Sequence, residues 1–340
     1  MTKIINLSPS IPNLSKESLK VSGNQISYFR TKEFTKLLKE CESKILKLTN
    51  CNGRVIFFNS SGTGAMDSVV CNLIKKTDRA LVINGGDFGQ RWVDICKFYN
   101  LKVKEFKVIF GKDIFFPRLQ DMIKEFKPNI LLVQHVETSS GQKHNIKIIA
   151  KLCKRYHIKL FVDSISSFLS EYYNMDKWGI DVSITSSQKG LGLFPGVSIV
   201  VLNKKILKEK ANERSFYFSY QKYLSNEWLS PFTPNVPVLL QLNNKLKNIN
   251  LKKEIQKREE MSSYFRSLIK NLPVKIITQT PSNSVTVLYV EKDVYDFFEK
   301  MCKKNIYFSP RNKNIMVISH MGNIKKEDYN LFVKEVKKWT

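Results

Sequence analysis

No Cys-x-x-Cys pair occurs in this chain, and its four histidines stand at no metal-type spacing from its six cysteines, so neither a zinc site nor a thioredoxin-type redox motif is indicated. No run of 18 apolar residues occurs either, and the first residues, Met-Thr-Lys-Ile-Ile-Asn-Leu-Ser-Pro9, hold no apolar signal-like stretch. Membrane spanning and secretion are therefore not expected. The cysteines sit in apolar contexts such as Val-Val-Cys71-Asn-Leu and Asp-Ile-Cys96-Lys-Phe, where a free thiol reads as a small buried hydrophobe in a reducing compartment. A cytoplasmic location is expected. The Gly-Lys-Ser/Thr ending of a Walker loop is missing, and so is the G-x-S-x-G elbow of an α/β hydrolase.

Acidic residues are scarce: 30 stand against 56 lysines and arginines, a net charge of +26. Such an excess raises the question of a polyanionic partner. The placement answers it, because lysines recur singly along helical stretches such as 31–48 and 252–270, with no block of five or six forming a basic arm. A solvated basic surface is expected, without a nucleic-acid partner.

What is present is an ordinary globular composition, 42% hydrophobic and 25% charged, in a chain long enough for a large lobe and a smaller one. Residues 1–30 are polar, carry Pro9 and Pro12, and read as an extended arm. From Val55 to Asn203 short apolar runs, 55–58, 80–84, 130–135, 160–165, 182–185 and 197–202, alternate with helical stretches. Several are continuously apolar, as strands of a mainly parallel sheet are when helices cover both faces. The class is α/β, with residues 31–236 as the large domain. After the proline-rich segment 230–237 the spacing predicts one long helix over 237–270, then an α+β lobe to residue 340.

Three stretches carry candidate chemistry. Phe58-Asn-Ser-Ser-Gly-Thr-Gly-Ala-Met66 follows a predicted strand and opens a predicted helix, where free backbone N–H groups favour a phosphate; an ordinary capped turn is the alternative. Leu160-Phe-Val-Asp163 puts a carboxylate at the C-terminal end of an apolar strand, where open parallel sheets bind ligands. Such a carboxylate can hold a pyridine nitrogen protonated, or it can simply cap a helix. Ser183-Ile-Thr-Ser-Ser-Gln-Lys189-Gly-Leu-Gly places a lysine among small residues at another strand end. Schiff-base chemistry needs a lysine shielded from water, although a lysine in a loop is usually a surface residue.

In order and spacing, Ser-Gly-Thr-Gly-Ala-Met66, Phe88-Gly-Gln-Arg-Trp92, Glu137-Thr-Ser-Ser-Gly141, Val162-Asp-Ser-Ile-Ser166, Trp178-Gly-Ile-Asp-Val182 and Ser187-Gln-Lys-Gly-Leu191 resemble the class V aminotransferases. The resemblance is nearest to the alanine–glyoxylate, serine–pyruvate and 2-aminoethylphosphonate–pyruvate branch, and it runs from about Tyr28 to Gly322. It implies the aspartate aminotransferase-like fold, pyridoxal 5'-phosphate as cofactor, and a homodimer with shared active sites. It also implies roles. Lys189 would hold the cofactor as a Schiff base and shuttle a proton, and Asp163 would pair with the pyridine nitrogen. Phe88 and Ile165 would cover the two ring faces, with Thr138 near the phenolic oxygen. Ser61, Gly62, Thr63 and Gln188 would hold the phosphate, joined by Thr233 of the second subunit.

The substrate side departs from the family pattern. Val317 stands where members usually carry the arginine that clamps a substrate carboxylate. Arg311 or Arg30 is expected to supply that charge, and His320 is placed near the substrate mouth; His135 reads as a pocket wall or a core histidine. The expected function is transfer of an amino group from a small donor such as alanine, serine or 2-aminoethylphosphonate to pyruvate or glyoxylate. The alternative is a decarboxylase or lyase on the same scaffold, motivated by Val317.

Overall fold

The computed structural model describes residues 3–340 except Asn24, Ser27, Lys210 and Asn248. Seven strands form the central sheet, in the spatial order Gly53–Phe58, Ser198–Asn203, Val182–Ser186, Lys159–Asp163, Ile130–Gln134, Arg79–Asn84, Lys102–Lys107. All neighbours are parallel except Ser198–Asn203, which runs antiparallel to both of its partners. Successive side chains of a strand leave opposite faces, and here both faces are buried. Leu81, Ile83, Leu131, Val133, Leu160 and Val162 enter one apolar cluster, while Ala80, Val82, Ile130, Leu132 and Phe161 enter the other. This is why the strands read as continuous apolar runs.

The edge strand Lys102–Lys107 escapes a search for such runs. Its sequence, Lys-Val-Lys-Glu-Phe-Lys, leaves only Phe106 fully buried, as suits an edge that charges protect from pairing with another chain.

The C-terminal lobe is an antiparallel sheet of Lys275–Ile276, Val285–Tyr289, Ile315–Ser319 and Ser309–Asn312. Helices Leu251–Ile269, Val294–Cys302 and Lys326–Trp339 contribute Phe265, Phe297 and Phe332 to its core.

Two expectations need correction. The single helix over 237–270 is two, Val236–Lys247 and Leu251–Ile269, and the second is capped by the Asn250 side chain accepting the Lys253 N–H at 3.0 Å. An Asn at such a position starts a helix better than it continues one. The N-terminal segment is not a loose extended arm. Ile5–Asn6 pairs in parallel with Ile306–Tyr307, Ile5 and Leu7 belong to the C-terminal lobe's core, and Lys16–Ser22 is helical and packs on Val236–Lys247. Isolated apolar residues among polar ones gave no periodic signal there.

The expected buried cysteines are buried: Cys71 and Cys96 have no exposed surface, and burial raises both thiols to about 12. Among the described residues no helix is long and apolar enough to cross a membrane, and no cluster of His, Cys, Asp or Glu could hold a metal ion.

Candidate active site

Asp163 closes the Lys159–Asp163 strand, and its Oδ1 accepts the Ile165 N–H at 2.8 Å. Burial pushes its carboxyl up to about 7. Glu137 adds to that shift, and the Ile165 N–H, Lys189 and Arg91 oppose it. Lys189 lies in the turn after the adjacent strand, Val182–Ser186, and is 8% exposed. Burial lowers its ammonium to about 8 against the pull of Asp163, with Arg91 reinforcing the shift. An amine shielded in this way is partly neutral, and therefore nucleophilic, at mild pH.

Two glycines let the chain close around this pair. A Cβ on Gly190 would lie 1.9 Å from the Phe168 carbonyl oxygen, so the turn carrying Lys189 sits flush on the segment that follows Asp163. A Cβ on Gly62 would lie 2.4 Å from Cδ1 of Ile165, which brings the start of helix Gly62–Leu73 against the same segment. The N-cap of that helix, Ser61, makes no side-chain capping bond, and first-turn N–H groups have no partner within a helix. Such a helix start is a candidate anion cradle.

Buried polar atoms almost always find a hydrogen-bond partner. Here Thr185 Oγ1, Ser186 Oγ and Gln188 Oε1, on the residues leading into Lys189, have none in the protein. An open helix N-terminus, a shielded lysine, a buried carboxylate and unpartnered polar atoms together fit a phosphorylated pyridine such as pyridoxal phosphate.

The remaining predicted residues divide between those brought to this cleft and those placed elsewhere. Thr63 joins the cradle, with its Oγ1 accepting from Arg91 at 2.9 Å. Thr138 Oγ1 and Ser166 Oγ lie 2.5 Å apart. Phe88 is the second residue of helix Asp87–Phe98, with the Arg91 guanidinium 4.7 Å from its ring centre. Thr233 is exposed, and its carbonyl accepts from Asn59 at 2.5 Å. Arg30 is exposed, donating to the Tyr28 hydroxyl at 3.2 Å.

On the substrate side, Arg311 forks onto the Asp87 carboxylate, with Nη2 to Oδ1 at 2.7 Å, and stacks over Phe110. Val317 is buried with Val136, Val285, Val287 and Met321 in a small apolar cluster. His320 requires correction: it does not open on a substrate mouth. Its ring is fully buried, Nε2 lies 2.8 Å from Thr286 Oγ1 and Nδ1 2.7 Å from the Tyr329 hydroxyl, so both nitrogens are engaged in the lobe's interior. His135 is buried with Nδ1 unpartnered, and burial lowers it to about 3.

Sequence reasoning gave no role to Glu137. Its buried carboxylate accepts the N–H groups of Phe88 (3.1 Å), Gly89 (3.0 Å) and Ser139 (3.1 Å) and the Ser139 hydroxyl (2.6 Å). It thereby fixes the entry to helix Asp87–Phe98 and the position of Phe88. A charged residue between Val136 and Thr138 at a strand end was the available signal. Glu137→Gln turns an amide N–H₂ towards these donors, and leaving buried donors unpaired costs about 2–4 kcal/mol. A urea titration should show that loss as a lower midpoint with an unchanged slope.

With this geometry in view, the profile of the family described as "Aminotransferase class-V" matches residues 9–307. An uncharacterized aminotransferase of Methanocaldococcus jannaschii is 30% identical over 269 residues, 76% of this chain and 70% of its own length. The L-aspartate–glyoxylate aminotransferase of Paracoccus denitrificans is 28% identical over 302 residues, 83% of this chain and 75% of its own. Among solved structures, the alanine–glyoxylate aminotransferase of a Nostoc species superposes with a TM-score of 0.92 at 21% identity, covering 99% of this chain and 95% of that one.

Proposed function

The chain belongs to the class V aminotransferases, a pyridoxal-phosphate-dependent family, and from that premise we propose that this transaminase moves an amino group from a small donor to a 2-oxo acid such as pyruvate or glyoxylate. The observation that carries the reading is the buried Lys189 beside Asp163 at the ends of neighbouring strands. Names of relatives that use glyoxylate support the acceptor class.

In this reading Lys189 would hold the cofactor through Nζ, and its amine, once free, would carry a proton to and from the substrate α-carbon. When bound, pyridoxal phosphate supplies an electron-accepting ring that stabilises negative charge at that carbon. Asp163 holds a proton on the ring nitrogen, which is what keeps the ring electron-poor. Phe88 and Ile165 orient the ring and exclude water from its faces, while Thr138 stands by its phenolic oxygen. Ser61, Gly62, Thr63 and Gln188 hold the phosphate. Arg311, whose fork is held by Asp87 next to Phe88, would have to leave that ion pair to meet a substrate carboxylate, while the exposed Arg30 is the other candidate. A second copy of the chain completes the site through its Thr233, and the enzyme works in the cytoplasm.

The test is a half-reaction. Holoenzyme is mixed with alanine, serine or 2-aminoethylphosphonate and no acceptor, and the products are quantified by mass spectrometry. One equivalent of oxo product per active site is expected from the true donor. Catalytic release of carbon dioxide or of an elimination product, with no stoichiometric oxo product, would replace transamination with the decarboxylase or lyase reading.

A further inference from the structure

We infer that Arg91 is the cation that neutralises the cofactor's phosphate, acting across the cleft from the helix that opens at Gly62. The inference rests on the reading of Ser61, Gly62 and Thr63 as the phosphate cradle and adds to it a residue from a different helix. Arg91 belongs to Asp87–Phe98, and its Nη1 donates to Thr63 Oγ1 at 2.9 Å. Its guanidinium lies 4.7 Å from the centre of the Phe88 ring, so the side chain lies over the residue that would cover the cofactor ring. Its charge is felt at both Asp163 and Lys189, which places it within the same cleft.

Arg91 combines the lack of a counter-ion with few other partners. Arg214 and Arg266, which also form no ion pair among the described residues, spend their guanidinium groups on carbonyl and hydroxyl oxygens, whereas Arg91 donates only to Thr63. Arg54 pairs with Glu42, Arg258 with Glu254, and Arg311 with Asp87. Among the described residues no carboxylate forms an ion pair with Arg91, although it is only partly exposed. A guanidinium offers five N–H groups in a planar fork, and the contact with Thr63 uses one. The others remain for an anion at the place where the uncapped N-terminus of Gly62–Leu73 also attracts one. A dianionic phosphate monoester satisfies both at once. The threonine bridge ties the cationic fork to the cradle, so that neither has to be ordered when the ligand arrives.

The experiment compares pyridoxal phosphate with pyridoxal, which lacks only the phosphate, by equilibrium dialysis against apoprotein. The proteins are wild type, Arg91→Gln and Arg91→Lys, with thermal unfolding as a check on folding. Wild type should prefer the phosphorylated ligand. R91Q should lose roughly ten- to a hundred-fold in affinity for pyridoxal phosphate, the scale of a charge-assisted contact, while its affinity for pyridoxal stays unchanged. R91K should recover part of the loss, because it restores charge without the fork. Inorganic phosphate should compete with pyridoxal phosphate for wild type and much less for R91Q.

Equal weakening of both ligands in R91Q would overturn the inference and make Arg91 a support for Phe88 alone. So would unchanged binding of both with a raised KM for the 2-oxo acid, which would assign Arg91 to the substrate. A wild-type protein that shows no preference for the phosphorylated ligand would instead sink the cradle reading itself.

Discussion

Replacing Lys189 by alanine should cut the rate of amino transfer by at least about 10²- to 10⁴-fold, the range that a single positioned proton carrier supplies. The expected loss lies at the top of that range or beyond, because the same amine is proposed to anchor the cofactor. Borohydride reduction of the wild-type holoenzyme followed by peptide mass mapping should find the cofactor's mass on residue 189, and in Lys189→Ala it should find none. A label on another lysine would move the active site elsewhere. Burial has lowered this ammonium to about 8, so the neutral amine becomes the major form as pH climbs through that value. The rate at which apoprotein captures pyridoxal phosphate should therefore rise from pH 6 to about 9 and then flatten.

Asp163→Asn is expected to lower kcat by about 10²- to 10³-fold, the cost of removing one preorganised electrostatic contact from a buried site. It should do so without unfolding the protein, since the amide keeps the shape and its oxygen can still accept the Ile165 N–H. The stability of the apoprotein should move the other way with pH. Burial raises the folded carboxyl to about 7 from an ordinary 3.8. A group raised in this way destabilises the fold as pH increases from the unfolded value to the folded one, because only the unfolded chain ionises freely in that window. D163N should thus gain thermal stability over wild type between about pH 4 and 7, with the gap constant above that. A variant less active and less stable at every pH would show that Asp163 serves the fold rather than the chemistry. The pattern expected, activity lost where stability is gained, is the usual mark of a functional group buried at some expense.

How much of this was legible beforehand follows from which physical signals are local. Six sheet strands and their class could be read because strands covered on both faces are largely apolar, even where Ser183 and Thr185 interrupt Val182–Ser186. The strand 102–107 could not, because its lysines and glutamate, which protect that edge, break the apolar run that the opposite edge strand, Gly53–Phe58, keeps. The break between the helices at 236–247 and 251–269 turned on one asparagine that a periodicity count passes over.

At the site, Asp163 and Lys189 stood out in sequence as polar residues ending apolar runs flanked by small ones. The two residues added by the structure carry no such mark. Glu137 matters through four donors that come from residues 88, 89 and 139, and Arg91 through Thr63, 28 positions away. His320 was misjudged for the same reason, since its partners Thr286 and Tyr329 meet it only after the C-terminal lobe has packed.

The sequence by itself therefore determined the class of the fold, the order of its strands along the chain and the pair of residues, Asp163 and Lys189, proposed as the chemical centre, because hydrophobic periodicity and strand-end chemistry are written within a few neighbouring positions. Tertiary structure alone decided which charges have partners. It left Arg91 without a counter-ion, gave Arg311 to Asp87 and sealed Val317 in an apolar cluster, because pairing and desolvation depend on what lies across a cleft and not on what comes next in the chain.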